Sequence, residues 1–261
     1  MYISAKHIDI KSKQDYSDFI CENDYQSLVL CDGIGEFLDS GIVAETVVNV
    51  IITNRISDLN ELINKREIQN LREKNVIGGT TILLAHLIKS KKVKIEYLGN
   101  GGCIHLYGNF ASNQNDLLPY RFNHLINPHI SPINALTKHL SNNSGKNELQ
   151  KSELTLTLNN NLGDILVLFT DGINSLEENI IIKDNNGRFW RNESNAIQFV
   201  LEKLNKFLEI NNNNDDFQEN LIHFNKSILE DLKEQNLLED DASLAFIITD
   251  ETLKHYHTKN D

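Results

Sequence analysis

The stretch Asp164-Ile165-Leu166-Val167-Leu168-Phe169-Thr170-Asp171-Gly172-Ile173 reads as an apolar run cut off by an Asp-Gly pair. A short β-prone run closed by turn residues is a buried strand that delivers a carboxylate at its tip. The same grammar occurs earlier in Ser27-Leu28-Val29-Leu30-Cys31-Asp32-Gly33-Ile34-Gly35. Taken singly, an Asp-Gly pair usually marks no more than a turn. Two copies about 140 residues apart, with a further acidic pair at Asp240-Asp241 before another apolar run, carry more weight. Carboxylates gathered at strand tips are how a protein holds hard divalent cations such as Mg²⁺ or Mn²⁺.

The rest of the chain reads as scaffold for that cluster. Its 261 residues suffice for one large domain or two small ones, and for a core that needs no disulfides. The net charge of −12 argues against a non-specific nucleic-acid binder. Cys21, Cys31 and Cys103 fall in predicted strands without a CxxC pair, as buried free thiols of a reducing compartment would. No secretory leader and no run of transmembrane length is visible, so a soluble, cytoplasmic protein with no membrane partner is expected.

Taken in order, residues 2–9, 16–22 and 28–31 read as an antiparallel meander. Helical spacing follows from Ile42 to Ile51, with Ser40 as the expected N-cap, and a more charged helix from about Asp58 to Lys74. Residues 80–88 lean to a strand. Val93–Leu98 and Cys103–Tyr107 are expected to pair through Gly99–Gly102. Residues 109–150 contain Pro119, Pro128 and Pro132 and read as an irregular surface flap with one short helix near Ala135–Leu140. Leu154–Leu158 is expected to pair with Ile165–Phe169, and residues 174–193 form a polar insertion. Two amphipathic helices, Ser194–Ile210 and Asp216–Glu234, precede the last strand, Ser243–Ile248. Residues 251–261 read as a polar tail that frays. Strands at both ends with helices between them give one α+β domain over residues 1–250 with a two-sheet core.

In their order and spacing these acidic junctions resemble the metal-dependent PP2C (PPM) protein phosphatases, over about residues 2–248. Gln14-Asp15 is similar to the family's early acidic pair, and Cys31-Asp32-Gly33-Ile34-Gly35 to its Asp-Gly-x-Gly motif. Gly79-Thr80-Thr81, Gly99-Asn100-Gly101 and Ala135-Leu136-Thr137 resemble three further family segments. Thr170-Asp171-Gly172 and Asp240-Asp241-Ala242-Ser243 resemble its last two acidic motifs. The resemblance implies a two-sheet antiparallel β-sandwich flanked by helices, in αββα layers, with two Mn²⁺ or Mg²⁺ ions at one end. Asp32 would bridge both ions, the Gly33 carbonyl would join the second, and Asp171, Asp240 and Asp15 would serve the first. It implies hydrolysis of phosphoserine and phosphothreonine monoesters in a protein, with a Ser/Thr kinase or its target as partner.

The sequence departs from that pattern in several places. Gln14 stands where Glu is usual, which weakens the second metal site. Asn100 replaces an Asp that helps hold a third metal. Ile10 occupies the place of a phosphate-gripping Arg, which leaves Lys11 or Lys13 as point-charge substitutes. Ile34 stands where some members carry a proton-donating His. These departures keep open a pseudophosphatase, the same fold used as a binding or regulatory module.

Other motifs weigh less. Asp164 reads as a turn residue and Asp241 as a solvated carboxylate or a ligand-orienting one. His124 and His129 lack a helical HExxH arrangement, which disfavours zinc catalysis. His255 and His257 read as solvated. Gly99–Gly102 lacks the Lys-Ser/Thr of a P-loop.

Overall fold

The computed structural model describes residues 1–88, 91–108, 120–133, 135–141, 149–159, 161–173, 181–183, 189–191, 194–212, 215–238 and 240–260. The first strands are β1 (Tyr2–Ile8), β2 (Asp15–Cys21) and β3 (Gln26–Asp32). Helix α1 (Ser40–Thr53), a 3-10 turn (Leu59–Asn64) and helix α2 (Arg66–Glu73) follow. Next come β4 (Gly79–Thr80), β5 (Ile82–Ile88), β6 (Lys92–Leu98), β7 (Gly102–Tyr107), β8 (Arg121–His124) and β9 (Leu140–Ser141). The last strands before the helical pair are β10 (Ser152–Thr157), β11 (Asp164–Phe169), β12 (Ile181–Lys183) and β13 (Phe189–Arg191). Helices α3 (Asn195–Asn211) and α4 (Phe217–Glu234), strand β14 (Ala242–Ile248) and helix α5 (Asp250–Asn260) complete the chain.

Two five-stranded sheets carry the architecture, in the orders β1-β14-β11-β7-β8 and β10-β6-β5-β3-β2, with the two-stranded pairs β12-β13 and β4-β9 beside them. Alternation along the strands shows why the central ones are apolar throughout. Leu166 and Leu168 of β11 and Ala245 and Ile247 of β14 pack with Leu28, Leu30, Leu83 and Ala85 of the opposing sheet. Their neighbours Ile165, Val167, Phe169, Leu244 and Phe246 face α3 and α4. On the other side, Val29 and Cys31 of β3 face α1, the 3-10 turn and α2. Side chains two apart share a face, so strands covered on both faces lose the polar-apolar alternation of a half-exposed sheet. The result is the two-sheet core expected from the sequence, in the αββα layers that the family resemblance implies.

Several local pairings differ from the expectation. β1 pairs with β14, not with β2, so residues 9–14 cross between the sheets instead of turning a hairpin. β6 and β7 also lie in different sheets, and β10 pairs with β6, not with β11. Residues 99–102 therefore make a corner. Gly99 sits there at φ 119°, with Thr81 where a Cβ would stand, so only glycine fits without strain. A strand buried on both faces shows the same apolar run whether the next turn closes a hairpin or changes sheet.

The N-cap position of α1 is Asp39, not Ser40. The Asp39 carboxylate accepts from Ile77 N at 3.0 Å, while Ser40 Oγ donates to Ile34 O at 2.7 Å and accepts from Gly79 N at 3.3 Å. These bonds tie residues 33–40 to 77–79. The charged helix splits into the 3-10 turn and α2. No helix forms near Ala135–Leu140: Leu136 bridges Ile130 and β9 pairs with β4. Of the expected flap, residues 109–119, 134 and 142–148 lie outside the described residues, and β8 is an edge strand of the first sheet. Of the expected insertion at 174–193, the described residues form the β12–β13 pair. The expected fraying tail is instead α5, whose Thr252 and Tyr256 are buried. Among the described residues no helix is long and apolar enough to cross a membrane.

Candidate metal centre

The β2–β3 hairpin sets Asp15 directly opposite Asp32 at one end of its sheet. Directly opposed residues on antiparallel strands put their side chains on the same face, a costly arrangement for two like charges. In the other sheet β11 runs antiparallel to β14, so Asp171 just beyond β11 and Asp240 just before β14 emerge at a common edge. The two sheet ends meet around a cleft of about 360 Å³. Asp32, Gly33, Asp171, Asp240 and Asp241 line it with Gln14 and Asn100. Residues from widely separated parts of the chain thus share one acidic hollow.

Hydrogen bonds fix the strand tips that carry these carboxylates. Asp32 sits on the Thr80-Thr81 pair: its amide donates to Thr81 Oγ1 at 3.3 Å, and its carbonyl accepts from Thr81 N at 2.8 Å and Thr80 Oγ1 at 3.0 Å. Asp15 lies beneath the cleft, with 1% of its surface exposed. Its Oδ2 accepts from Thr170 Oγ1 at 2.7 Å, and that hydroxyl accepts from Ser243 N at 2.8 Å. Asn100 Nδ2 donates to Asp171 Oδ2 at 2.5 Å. Gly33 N donates to Gln14 O at 3.0 Å, and a Cβ on Gly33 would press on Ser40 and Gln14.

The electrostatics follow from this crowding. Burial, then the charges of Asp15 and Asp171, push the Asp32 carboxyl well above the usual carboxylate range. Burial also raises Asp15, against the opposing hydrogen bond from Thr170. Burial and the Asp240 charge raise Asp171, against contacts with Asp32 and Asn100 that lower it.

An all-oxygen donor set of carboxylates, an amide and a backbone carbonyl suits hard divalent cations. At the cleft, two buried oxygens, Asp15 Oδ1 and Asn100 Oδ1, have no hydrogen-bond partner among the described residues. Buried polar atoms are almost always satisfied, so such orphans fit a site that takes a cation or water. Among the described residues no three His, Cys, Asp or Glu side chains already stand as a finished ligand cage. The donors share a cleft and would have to draw together on an ion.

Of the residues expected from the sequence, Asp32, Gly33, Asp171, Asp240 and Lys11 line the cleft, and Asp15 lies directly behind it. Lys13 is not among the lining residues; its backbone takes a left-handed φ of 54° and its carbonyl packs where Gly41 has no side chain. Asp164 is no exposed turn residue: it is buried at the far end of β11, with its Oδ1 2.8 Å from His105 Nε2. His129 holds Gly99 N on Nδ1 at 3.1 Å and Ser152 Oγ on Nε2 at 2.7 Å, a corner brace remote from zinc chemistry. His255 is half-buried and packs edge-on to Tyr120 and Tyr256, while His257 is exposed.

The sequence reading missed Thr170 and left Asp241 undecided. A hydroxyl immediately before Asp-Gly, and a second acid after Asp240, were the available signals. Neither points to a role until the strands are paired.

No family model matches the chain, and no curated relative matches it. Solved structures do. The serine/threonine phosphatase Stp1 from Staphylococcus aureus superposes with a TM-score of 0.55 at 15% identity, over 94% of this chain and 93% of that one. RsbX in complex with magnesium gives a TM-score of 0.53 at 14% identity, over 94% of each chain. The PPM Ser-Thr phosphatase MsPP from Mycobacterium smegmatis gives 0.51 at 10% identity, over 95% of this chain and 97% of that one. Across nearly its whole length, the chain has the fold of the PPM (PP2C) phosphatases.

Proposed function

We propose that this protein is a metal-dependent phosphatase of phosphoserine and phosphothreonine in proteins, carried by one domain spanning residues 1–250. The observation that carries the proposal is the meeting of Asp32, Asp171 and Asp240, from two sheets, in one cleft backed by Asp15. The magnesium complex of RsbX, a protein of the same fold, supports a divalent cation here. Asp15, Asp32, Asp171, Asp240 and the Gly33 carbonyl would hold two Mn²⁺ or Mg²⁺ ions. Such ions, when bound, supply an acidified water and offset the charge that grows on the phosphoryl oxygens.

The chain's own residues do the rest. Thr170 and Asn100 fix the faces that Asp15 and Asp171 present. Gln14 orients water through a neutral amide and adds no charge. Lys11 at the cleft wall takes a phosphate oxygen as a point charge. No side-chain nucleophile is required. A cytoplasmic phosphoprotein, a Ser/Thr kinase or its target, is the proposed partner.

The second reading is a pseudophosphatase that uses the cleft for binding. It is favoured by Asn100, whose amide already occupies Asp171 Oδ2. Hydrolysis of a phosphothreonine peptide with Mn²⁺ decides between the two. The enzyme predicts Mn²⁺-stimulated turnover that Asp171→Ala abolishes. Peptide binding without turnover at any Mn²⁺ concentration assigns the module instead.

A further inference from the structure

Asp241 is 4% exposed, and its carboxylate turns into the backbone that connects β1 to β2. Ile10 N and Lys11 N donate to Oδ1 at 2.6 and 2.8 Å, and Gln14 N donates to Oδ2 at 2.8 Å. Ser12 N is shared between the two oxygens at 3.4 and 3.3 Å, and Ser12 Oγ donates to Oδ2 at 3.0 Å. Successive N–H groups turned onto one anion make a nest, usually a place for a bound phosphate or carboxylate. Here the anion belongs to the chain itself. Bonds to an ionised acceptor are roughly twice as strong as neutral ones, so this carboxylate dictates the path of the connection.

The anchor end is equally fixed. Asp241 N donates to Asp240 Oδ1 at 2.9 Å. The Asp241 carbonyl lies where a side chain on Gly172, next to Asp171, would collide with it. One residue therefore joins the Asp171 and Asp240 segments to the connection that carries Lys11 and Gln14, both of which line the cleft.

We propose that Asp241 is a positioning residue whose carboxylate folds residues 10–14 around itself and so fixes Lys11 at the wall of the acidic cleft to receive a substrate phosphate. The receiving role of Lys11 rests on the phosphatase reading; the clamp on the backbone does not. Among the described residues lining the cleft, Lys11 is the one with a cationic side chain, so its placement matters to an entering phosphate dianion. A lysine on a free connection would have to give up its conformational freedom at the moment of binding. The nest removes the backbone share of that cost in advance.

Two measurements on the full chain test this. Hydrogen–deuterium exchange, without metal, reads the clamp: in Asp241→Asn the amides of residues 10, 11, 12 and 14 should exchange at least tenfold faster, while the β11 and β14 cores stay protected. Anisotropy of a labelled phosphothreonine peptide with Mn²⁺ reads the consequence without requiring turnover. Asp241→Asn and Lys11→Ala should each weaken binding several-fold, and the double variant should bind no worse than either one. A generally structural role would give additive losses instead. Should Asp241→Asn fail to fold, Ser12→Ala takes its place, with faster exchange confined to residues 10–14 and a smaller loss of peptide affinity. Unchanged exchange at residues 10–14, or additive losses of peptide binding, overturns the proposal. Peptide binding with the predicted coupling but no hydrolysis would sink the phosphatase reading and leave the positioning role standing.

Discussion

Replacing Thr170 by valine should cost far more than one hydroxyl group suggests. Thr170 Oγ1 donates to Asp15 Oδ2 at 2.7 Å and accepts from Ser243 N at 2.8 Å, and all three residues are buried. Valine keeps the shape but removes both partners together. The Asp15 oxygen and the Ser243 amide would then be buried and unpaired, at about 1–3 kcal/mol each, so about 2–6 kcal/mol together. That is a large share of the roughly 5–15 kcal/mol by which domains are stable. With a urea slope of about 3 kcal/mol/M for a chain of this size, the unfolding midpoint should fall by about 0.7–2 M at an unchanged slope. Thr170→Ser is the control: it keeps both bonds, loses one methyl group and should cost about 1 kcal/mol. The two variants should also differ in function, with Mn²⁺ affinity reduced in the valine form because Asp15 has lost its support. If the valine and serine variants unfold within about 0.5 kcal/mol of each other, the Thr170 hydroxyl is not what holds Asp15.

Asp32→Asn should raise the metal-free melting temperature by a few degrees, since it removes one of the carboxylates that Asp15 and Asp171 crowd, while it erases the stabilisation by Mn²⁺. The wild-type protein should gain about 2.7 kcal/mol at a metal concentration a hundred times Kd, and calorimetry with and without Mn²⁺ reads both effects; a variant that melts lower than wild type yet still responds to Mn²⁺ would contradict the site. His129 gives a pH signature. Burial, then the nearby Lys138 charge, lowers its pKa from the ordinary 6.5, and its Nδ1 must stay unprotonated to accept from Gly99 N. Below about pH 6.5 the unfolded chain therefore binds the extra proton first, so this contribution is complete above that pH and fades as pH falls through the folded-state value. The stability difference between wild type and His129→Leu should be largest near pH 8 and shrink toward pH 5, and a difference that grows on acidification would refute the assigned tautomer.

The amino-acid sequence by itself determined the strands and the carboxylates at their ends. Ile165–Phe169 and Leu28–Cys31 are apolar at every position because both faces of each strand are covered, one by the other sheet and one by helices. The Asp-Gly breaks that follow place Asp32 and Asp171 at strand tips whatever the strands pair with. The helices α3 and α4 were equally legible, since a 3.6-residue apolar period needs no knowledge of its partner. Tertiary structure decided what depends on partners far away in the chain. The corner at Gly99–Gly102 and the crossing at residues 9–14 look like hairpins in sequence, because turn residues specify a reversal and not the sheet that receives the next strand. Thr252 and Tyr256 read as part of a polar tail in sequence and are buried because β11 and α3 offer them a surface to cover. Asp241 shows the limit most sharply. Its identity was plain beside Asp240, but a carboxylate acquires a structural role only through the donors that surround it. Those donors, at residues 10–14, lie 227 to 231 positions away and are brought to it by the β1–β14 pairing.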